Sequence, residues 1–344
     1  MPADAKGRTI LPGPRCGRVT VPSSKSIAHR ELIAAALSGV AEPVIRGESR
    51  DTEATRRCLK AMMSGKTEWP CGESGSTLRF LAPIAGVMGW KGRFLCEGRL
   101  AERPQMPFER KSLYTVPGNV SSQFVSGLLM ALPLADWDSE IIVEGQLQSA
   151  AYVSLTEATM LAAGLRFEKL SATHWRIPGG QRYAIAGGRE VEGDWSQAAF
   201  FLAMGVGVDG LRGDSRQGDR AVVSLLAAID AAPTSGTTLD ISQTPDLYPV
   251  LAAYSAATGR KVDFTGTERL RLKESDRIAS TAALIESVRR GEPVKTFGDH
   301  RIAMSAAVMA CYADRPVVVE DPGCVAKSYP AFWDDFGALE RSDP

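Results

Sequence analysis

Two stretches of this chain would form helices with no polar face, and that limits its fold more than any other feature. Gln123-Phe-Val-Ser-Gly-Leu-Leu-Met-Ala-Leu132 and Ile302-Ala-Met-Ser-Ala-Ala-Val-Met-Ala-Cys311 are small or apolar almost all round. A helix of that kind is buried on every side. No stretch approaches the ~20 apolar residues of a membrane span, and the N-terminus carries no apolar leader segment. The expectation is therefore burial inside protein, in a cytoplasmic molecule with no membrane partner. Short β-rich runs at 18–21, 43–45, 93–96, 141–143, 238–241 and 316–319 alternate with Ala-rich helical runs. The helical runs cover 26–37, 77–87, 123–132, 152–163, 196–204, 247–257, 275–288 and 302–312. This alternation predicts an α/β or mixed α+β protein whose apolar helices lie inside a ring of sheets. A length of 344 residues, 44% of them hydrophobic, favours two domains over one.

The polar residues of these helices gather at their starts, in Ser23-Ser24-Lys25-Ser26, Glu73-Ser74-Gly75-Ser76, Ser121-Ser122-Gln123 and Gly298-Asp299-His300-Arg301. Ser and Asp at such positions ordinarily satisfy free backbone N–H groups. Several helix N-termini aimed at one place would also bind phosphate and carboxylate groups. Lys plus Arg equals Asp plus Glu, at 40 each, so no bulk field draws nucleic acid and any anion site is made locally. The six cysteines are scattered without a CxxC pair, which suits a reducing compartment. With three histidines far apart and no Cys partner beside them, no metal is expected.

Four segments carry candidate chemistry. Val21-Pro-Ser-Ser-Lys-Ser-Ile-Ala-His-Arg30 puts Lys25 and Arg30 in the first turns of a helix. Cations there oppose the helix dipole unless an anion sits beside them, although a solvated turn is the plainer reading. Cys71-Gly-Glu-Ser-Gly-Ser-Thr-Leu-Arg79 could cradle a phosphate on backbone amides, or simply cap a helix around Gly75; it is not a nucleotide P-loop. Arg269-Leu-Arg-Leu-Lys-Glu-Ser-Asp-Arg277 sets Lys273 and Arg277 on one helical face with Glu274 beside them, where a solvated charge run is the bland alternative. Asp246, in Thr244-Pro-Asp-Leu, and Glu274 are the best acid/base candidates, since both lie near helix starts amid cations.

Taken in order, these segments resemble the 5-enolpyruvylshikimate-3-phosphate synthase family. The matching stretches are 22–30, 71–81, 101–104, 121–133, 149–152, 191–198, 245–246, 272–278, 298–304 and 324–330. The resemblance implies a two-domain inside-out α/β barrel built from repeated βαβαββ-like units. It places the first domain at 24–190 and the second at 1–23 with 191–344, the active site lying in the cleft between them. It implies two small-molecule partners, shikimate 3-phosphate and phosphoenolpyruvate, and no cofactor. The sugar-phosphate side would use Lys25, Ser26, Arg30, Ser121, Ser122, Gln123, Ser149 and Tyr152, with Asp246 and Lys273 also facing it. The phosphoenolpyruvate side would use Lys25, Gly75, Arg103, Arg277, Arg301 and Lys327. Arg forks match such anions bidentately.

The implied reaction is attack of the shikimate 5-hydroxyl on C2 of the enol while C3 takes a proton, followed by loss of phosphate. Glu274 is the candidate for proton transfer at C3, Asp246 the candidate base, and Lys25 the group that assists the leaving phosphate. In the family, the glycine matching Gly75 abuts the phosphoenolpyruvate subsite, where the longer inhibitor glyphosate also binds. A monomer is expected.

The chain departs from the family in being shorter, with gaps after Met63, around 108–116, within 231–236 and around 288–295. It also has Glu73 where many members carry Asn, and Arg269 where some do. Two alternatives stand beside this reading. A UDP-N-acetylglucosamine enolpyruvyl transferase would typically carry a loop cysteine, and the corresponding Leu100-Ala-Glu-Arg-Pro104 has none. A non-catalytic homologue is disfavoured by the joint presence of Lys25, Asp246 and Glu274.

Overall fold

The computed structural model describes residues 7–341. The chain divides into two compact units. One comprises Ser24–Arg46 and Arg50–Val191; the other comprises Met1–Ser23, Gly47–Ser49 and Glu192–Pro344, of which 1–6 and 342–344 lie outside the described residues.

The first unit carries α1 (Lys25–Ser38), α2 (Arg50–Met63), α3 (Gly75–Val87), α4 (Ser122–Ala131) and α5 (Ala150–Ala162). Strands Glu68–Gly72 and Arg93–Cys96 pair in parallel. Leu113–Pro117, Ser139–Glu144, His174–Ile177 and Glu168–Ser171 form a four-stranded sheet in that order, the first pair parallel and the rest antiparallel. The helix α4 packs on α3 and α5 and buries Phe124, Val125, Leu128 and Leu129. Gly127 makes this possible, because a Cβ there would collide with the Arg79 carbonyl of α3.

The second unit carries α6 (Trp195–Ala203), α7 (Val222–Asp230), α8 (Tyr248–Ala257), α9 (Arg277–Arg290), α10 (His300–Tyr312) and α11 (Phe332–Ala338). Every residue of α10 from His300 to Cys311 is buried, as its lack of a polar face requires. It packs on α6, α8 and α9. Four two-stranded sheets complete this unit: Arg8–Ile10 with Val317–Val319, Arg18–Thr20 with Gly207–Asp209, Thr237–Asp240 with Val262–Thr265, and Arg15–Cys16 with Glu340–Arg341.

The α/β class and the buried helices match the sequence reading. Among the described residues the sheets are two- or four-stranded. All eight expected helices form, each within two residues of its expected ends. The run at 43–45 makes only an isolated bridge, Val44 with Glu190. Helices α2, α7 and α11 were not expected. The pattern of α2 was available, with Asp51 and Glu53 in its first turn and Ala54, Cys58, Leu59, Ala61 and Met62 on one face.

Candidate active site

In the first unit, Lys25 opens α1 and its Nζ lies 2.9 Å from Asp51 Oδ2, in the first turn of α2. The carboxylate answers a cation that would otherwise stand against the α1 dipole. Arg30, five residues along, is buried rather than solvated. Its guanidinium donates to the hydroxyls of Thr156 (2.8 Å) and Ser126 (3.3 Å) and to the carbonyls of Ser26 and Tyr152, and lies over the Phe80 ring. Burial lowers its pKa to about 9.

Ser74 caps α3 by accepting from Thr77 N, and Gly75 is the first helical residue. The Arg103 guanidinium packs over Gly75, with Nη1 only 3.3 Å from where a Cβ would stand. Among the described residues, the buried Arg103 Nε has no hydrogen-bond partner. A half-buried cation at a helix N-terminus without a carboxylate is a place for an anion. Behind it, Arg79 donates to Gln123 Oε1 at 2.6 Å and to the Pro104 carbonyl at 3.1 Å, while Gln123 Nε2 donates to Ser76 Oγ at 2.9 Å. Gln123 is thereby fixed to the α3 turn. Ser121 caps α4 by accepting from Gln123 N, and Ser122 is buried in its first turn. Ser149 holds a left-handed conformation, φ 57°, at the start of α5, three residues before Tyr152. A serine at positive φ is uncommon enough to mark the turn as over-determined by its surroundings.

The second unit holds the other group. Asp246 lies in the 3-10 turn Pro245–Leu247. Its Oδ1 accepts from Lys273 Nζ (3.1 Å) and Arg277 Nη1 (2.8 Å), and its Oδ2 from Arg301 Nη2 (3.3 Å). Arg301 also donates to the Asp246 carbonyl at 3.0 Å and to Ser196 Oγ at 3.1 Å. Arg277 reaches Glu274 Oε2 at 2.8 Å and Asp299 Oδ2 at 2.9 Å, with its side chain 2% exposed. Asp299 in turn caps α10. Burial alone would raise the Asp246 carboxyl, yet Lys273, Arg301 and Arg277 together hold it well below the usual carboxylate range. Burial, with Arg277 nearby, lowers Lys273 against the pull of Asp246. Arg277 is raised despite burial, because Asp299, Glu274 and Asp246 surround it. Lys327 is buried at the end of the 3-10 turn Pro322–Lys327. No group of three or more His, Cys, Asp or Glu among the described residues is arranged to hold a metal.

Asp246, Lys273, Glu274, Arg277 and Arg301 thus share one network, and Gly75, Arg103 and Gln123 gather around the start of α3. Three members escaped the sequence reading. Asp51 lies on a helix that was not assigned, Arg79 closes the Gly-rich segment, and Asp299 precedes His300-Arg301; for the last two, the signal was a charge beside a helix cap.

Residues 109–336 match the family model described as EPSP synthase (3-phosphoshikimate 1-carboxyvinyltransferase). A 3-phosphoshikimate 1-carboxyvinyltransferase of Clostridium kluyveri is 34% identical over 404 aligned positions, covering 94% of this chain and 95% of the relative. One from Clostridium perfringens (strain SM101 / Type A) is 33% identical over 414, covering 96% and 97%. These alignments are longer than the 344 residues of the chain, so the relatives carry segments it lacks. In three dimensions the chain is similar to an EPSP synthase from Acinetobacter baumannii, with a TM-score of 0.71 and 20% identity over 98% of this chain and 100% of that one.

Proposed function

The chain belongs to the EPSP synthase family, and on that premise we propose that it is a 3-phosphoshikimate 1-carboxyvinyltransferase. It transfers the enolpyruvyl group of phosphoenolpyruvate to the 5-hydroxyl of shikimate 3-phosphate and releases phosphate. The observation that carries this reading is the sharing of one carboxylate, Asp246, by Lys273, Arg277 and Arg301. Such a cluster is preorganised for an anionic ligand and for charge that develops during reaction.

Arg277, Arg301, Lys327, Arg103, Lys25 and the start of α3 at Gly75 take the phosphate and carboxylate of phosphoenolpyruvate. Ser26, Ser121, Ser122, Gln123, Ser149 and Tyr152 take shikimate 3-phosphate, with Lys25, Asp246 and Lys273. Arg30 uses four of its five N–H donors inside the unit and acts by holding Ser26 and Tyr152. Glu274 transfers the proton at C3, and Lys25 stabilises the departing phosphate.

Asp246 is ionised at neutral pH but a weak base while three cations face it. Anionic phosphoenolpyruvate on Arg277 and Arg301 would offset that field and raise its proton affinity. The base is therefore strengthened only when the electrophile is bound.

All these residues come from one chain, so a monomer suffices. The six cysteines are free thiols, which suits the reducing cytoplasm. The test is phosphate release by the purified protein with both substrates. Release that requires both, with the enolpyruvyl ether as co-product, is expected; no release above the no-enzyme control would refute the reading.

A further inference from the structure

Two rungs join α1 to α2, and only the first involves a residue assigned above. Lys25 and His29 stand one turn apart on α1, as do Asp51 and Thr55 on α2. Lys25 pairs with Asp51, and His29 Nδ1 lies 2.7 Å from Thr55 Oγ1. The second rung continues into α3. Thr55 Oγ1 is 2.6 Å from Thr77 Oγ1, which lies 2.7 Å from Ser74 Oγ. Ser74 is the cap of α3 and immediately precedes Gly75. All four side chains of this relay are at most 1% exposed.

Proton supply sets its direction. The Thr77 hydroxyl has two acceptors other than Thr55, Ser74 Oγ and, at 3.4 Å, the Asp51 carbonyl. A hydroxyl carries one proton, so Thr77 spends it there and accepts from Thr55. Thr55 then offers only a lone pair to His29, which must carry its proton on Nδ1. That leaves Nε2 bare, and Nε2 is the His29 nitrogen with no partner among the described residues. A stranded acceptor costs less than a stranded N–H, so the neutral Nδ1–H tautomer gives the imidazole N–H and both threonine hydroxyls an acceptor. Burial, with Lys25 and Arg30, keeps His29 neutral against the pull of Asp51.

We propose that His29, acting through Thr55 and Thr77, is a positioning residue that holds the Ser74–Gly75 turn in register with Lys25. The proposal deepens the functional reading above, since it takes Gly75 and Lys25 as parts of the phosphoenolpyruvate subsite. Without the relay, α3 would keep its helix but lose the tie that aligns its N-terminus with α1.

Thr55→Val keeps shape and removes the hydroxyl; His29→Leu removes the donor; His29→Asn keeps an N–H near the Nδ1 position. Thr55→Val and His29→Leu should raise KM for phosphoenolpyruvate roughly 3- to 10-fold, the factor of one lost net hydrogen bond, and leave KM for shikimate 3-phosphate within about twofold. His29→Asn should recover most of that loss. Equal increases in both KM values, with lowered melting temperatures and no recovery in His29→Asn, would mean that the relay is merely structural. Nitrogen-15 NMR of the wild-type imidazole supplies a readout independent of turnover: Nδ1–H is expected, and Nε2–H overturns the relay. If the wild-type protein releases no phosphate, the functional reading falls by itself. The tautomer, with amide exchange at Thr77 in Thr55→Val, then decides the relay: faster exchange supports it and unchanged exchange overturns it.

Discussion

Gly75→Ala adds one methyl group at the first residue of α3, and the surroundings determine what that methyl does. Gly75 is absent from the positions with positive φ, so alanine meets no backbone strain there. In a helix, alanine is favoured over glycine by about 0.5–1 kcal/mol. The new Cβ would stand 3.3 Å from Arg103 Nη1 and 3.6 Å from Arg79 Nη1, both at the far ends of flexible side chains. Arg103 can give by a few tenths of an ångström, so the fold should be unchanged or slightly stabilised. An anion seated between Arg103 and the α3 amides has no such freedom. Overpacking of that kind costs about 1–3 kcal/mol, or roughly 5- to 150-fold in affinity. Glyphosate is longer than phosphoenolpyruvate and should meet most of this cost. Its inhibition constant against phosphoenolpyruvate is expected to rise at least about 10-fold, while KM for the substrate rises less than about threefold. Phosphate-release kinetics with a melting curve for each protein check this. Parallel losses for inhibitor and substrate, together with a lower melting temperature, would show that Gly75 serves the turn and would remove the subsite from α3.

Lys25→Met and Glu274→Gln should each lower kcat by about 10²–10⁴-fold, with smaller effects on ligand binding; retention of more than about a third of wild-type kcat would sink the assignment. Asp246→Asn strips one anion from a cluster that keeps Lys273, Arg277 and Arg301. Losing one partner of a buried pair costs about 3–5 kcal/mol, and the partial exposure of Asp246 puts the loss near the lower end. Urea unfolding should show this loss and a partial recovery on adding phosphate; an unaltered midpoint would count against a strained cation cluster. Because the Asp246 carboxyl is held low, its contribution is present above the ordinary carboxylate pKa of about 4 and is lost as pH falls through the folded value. His29 titrates near 3 when folded and near 6.5 when unfolded, so wild-type stability should drop as pH falls below about 6.5, by about 2 kcal/mol at pH 5. His29→Asn should flatten that limb between pH 7 and pH 5, and an unchanged slope would mean that His29 is hydrated and free to protonate.

Much of the scaffold was legible from local pattern. The apolar stretches around 123–132 and 302–311 could only be buried, and Ser74, Ser121 and Asp299 read as helix starts because capping is a matter of a few neighbouring residues. The order of the charged segments likewise pointed to the family, with Lys273, Glu274 and Arg277 on one segment and Asp246 as a separate candidate. What those charges do was not legible, because Coulomb interactions ignore sequence distance. Lys25 is answered by Asp51, 26 residues away, and Asp246 is shared by cations 27, 31 and 55 residues away. Arg30 looked like a first-turn cation open to solvent, until Phe80, Ser126 and Thr156 closed around it from three other helices. Strand partners were hidden for the same reason, since no run of residues states which strand lies beside it. Composition and periodicity determined which segments are buried and where helices begin. The proton affinity of each carboxylate, and the tautomer of His29, were decided only when tertiary packing removed water and brought distant charges and hydroxyls within hydrogen-bonding distance.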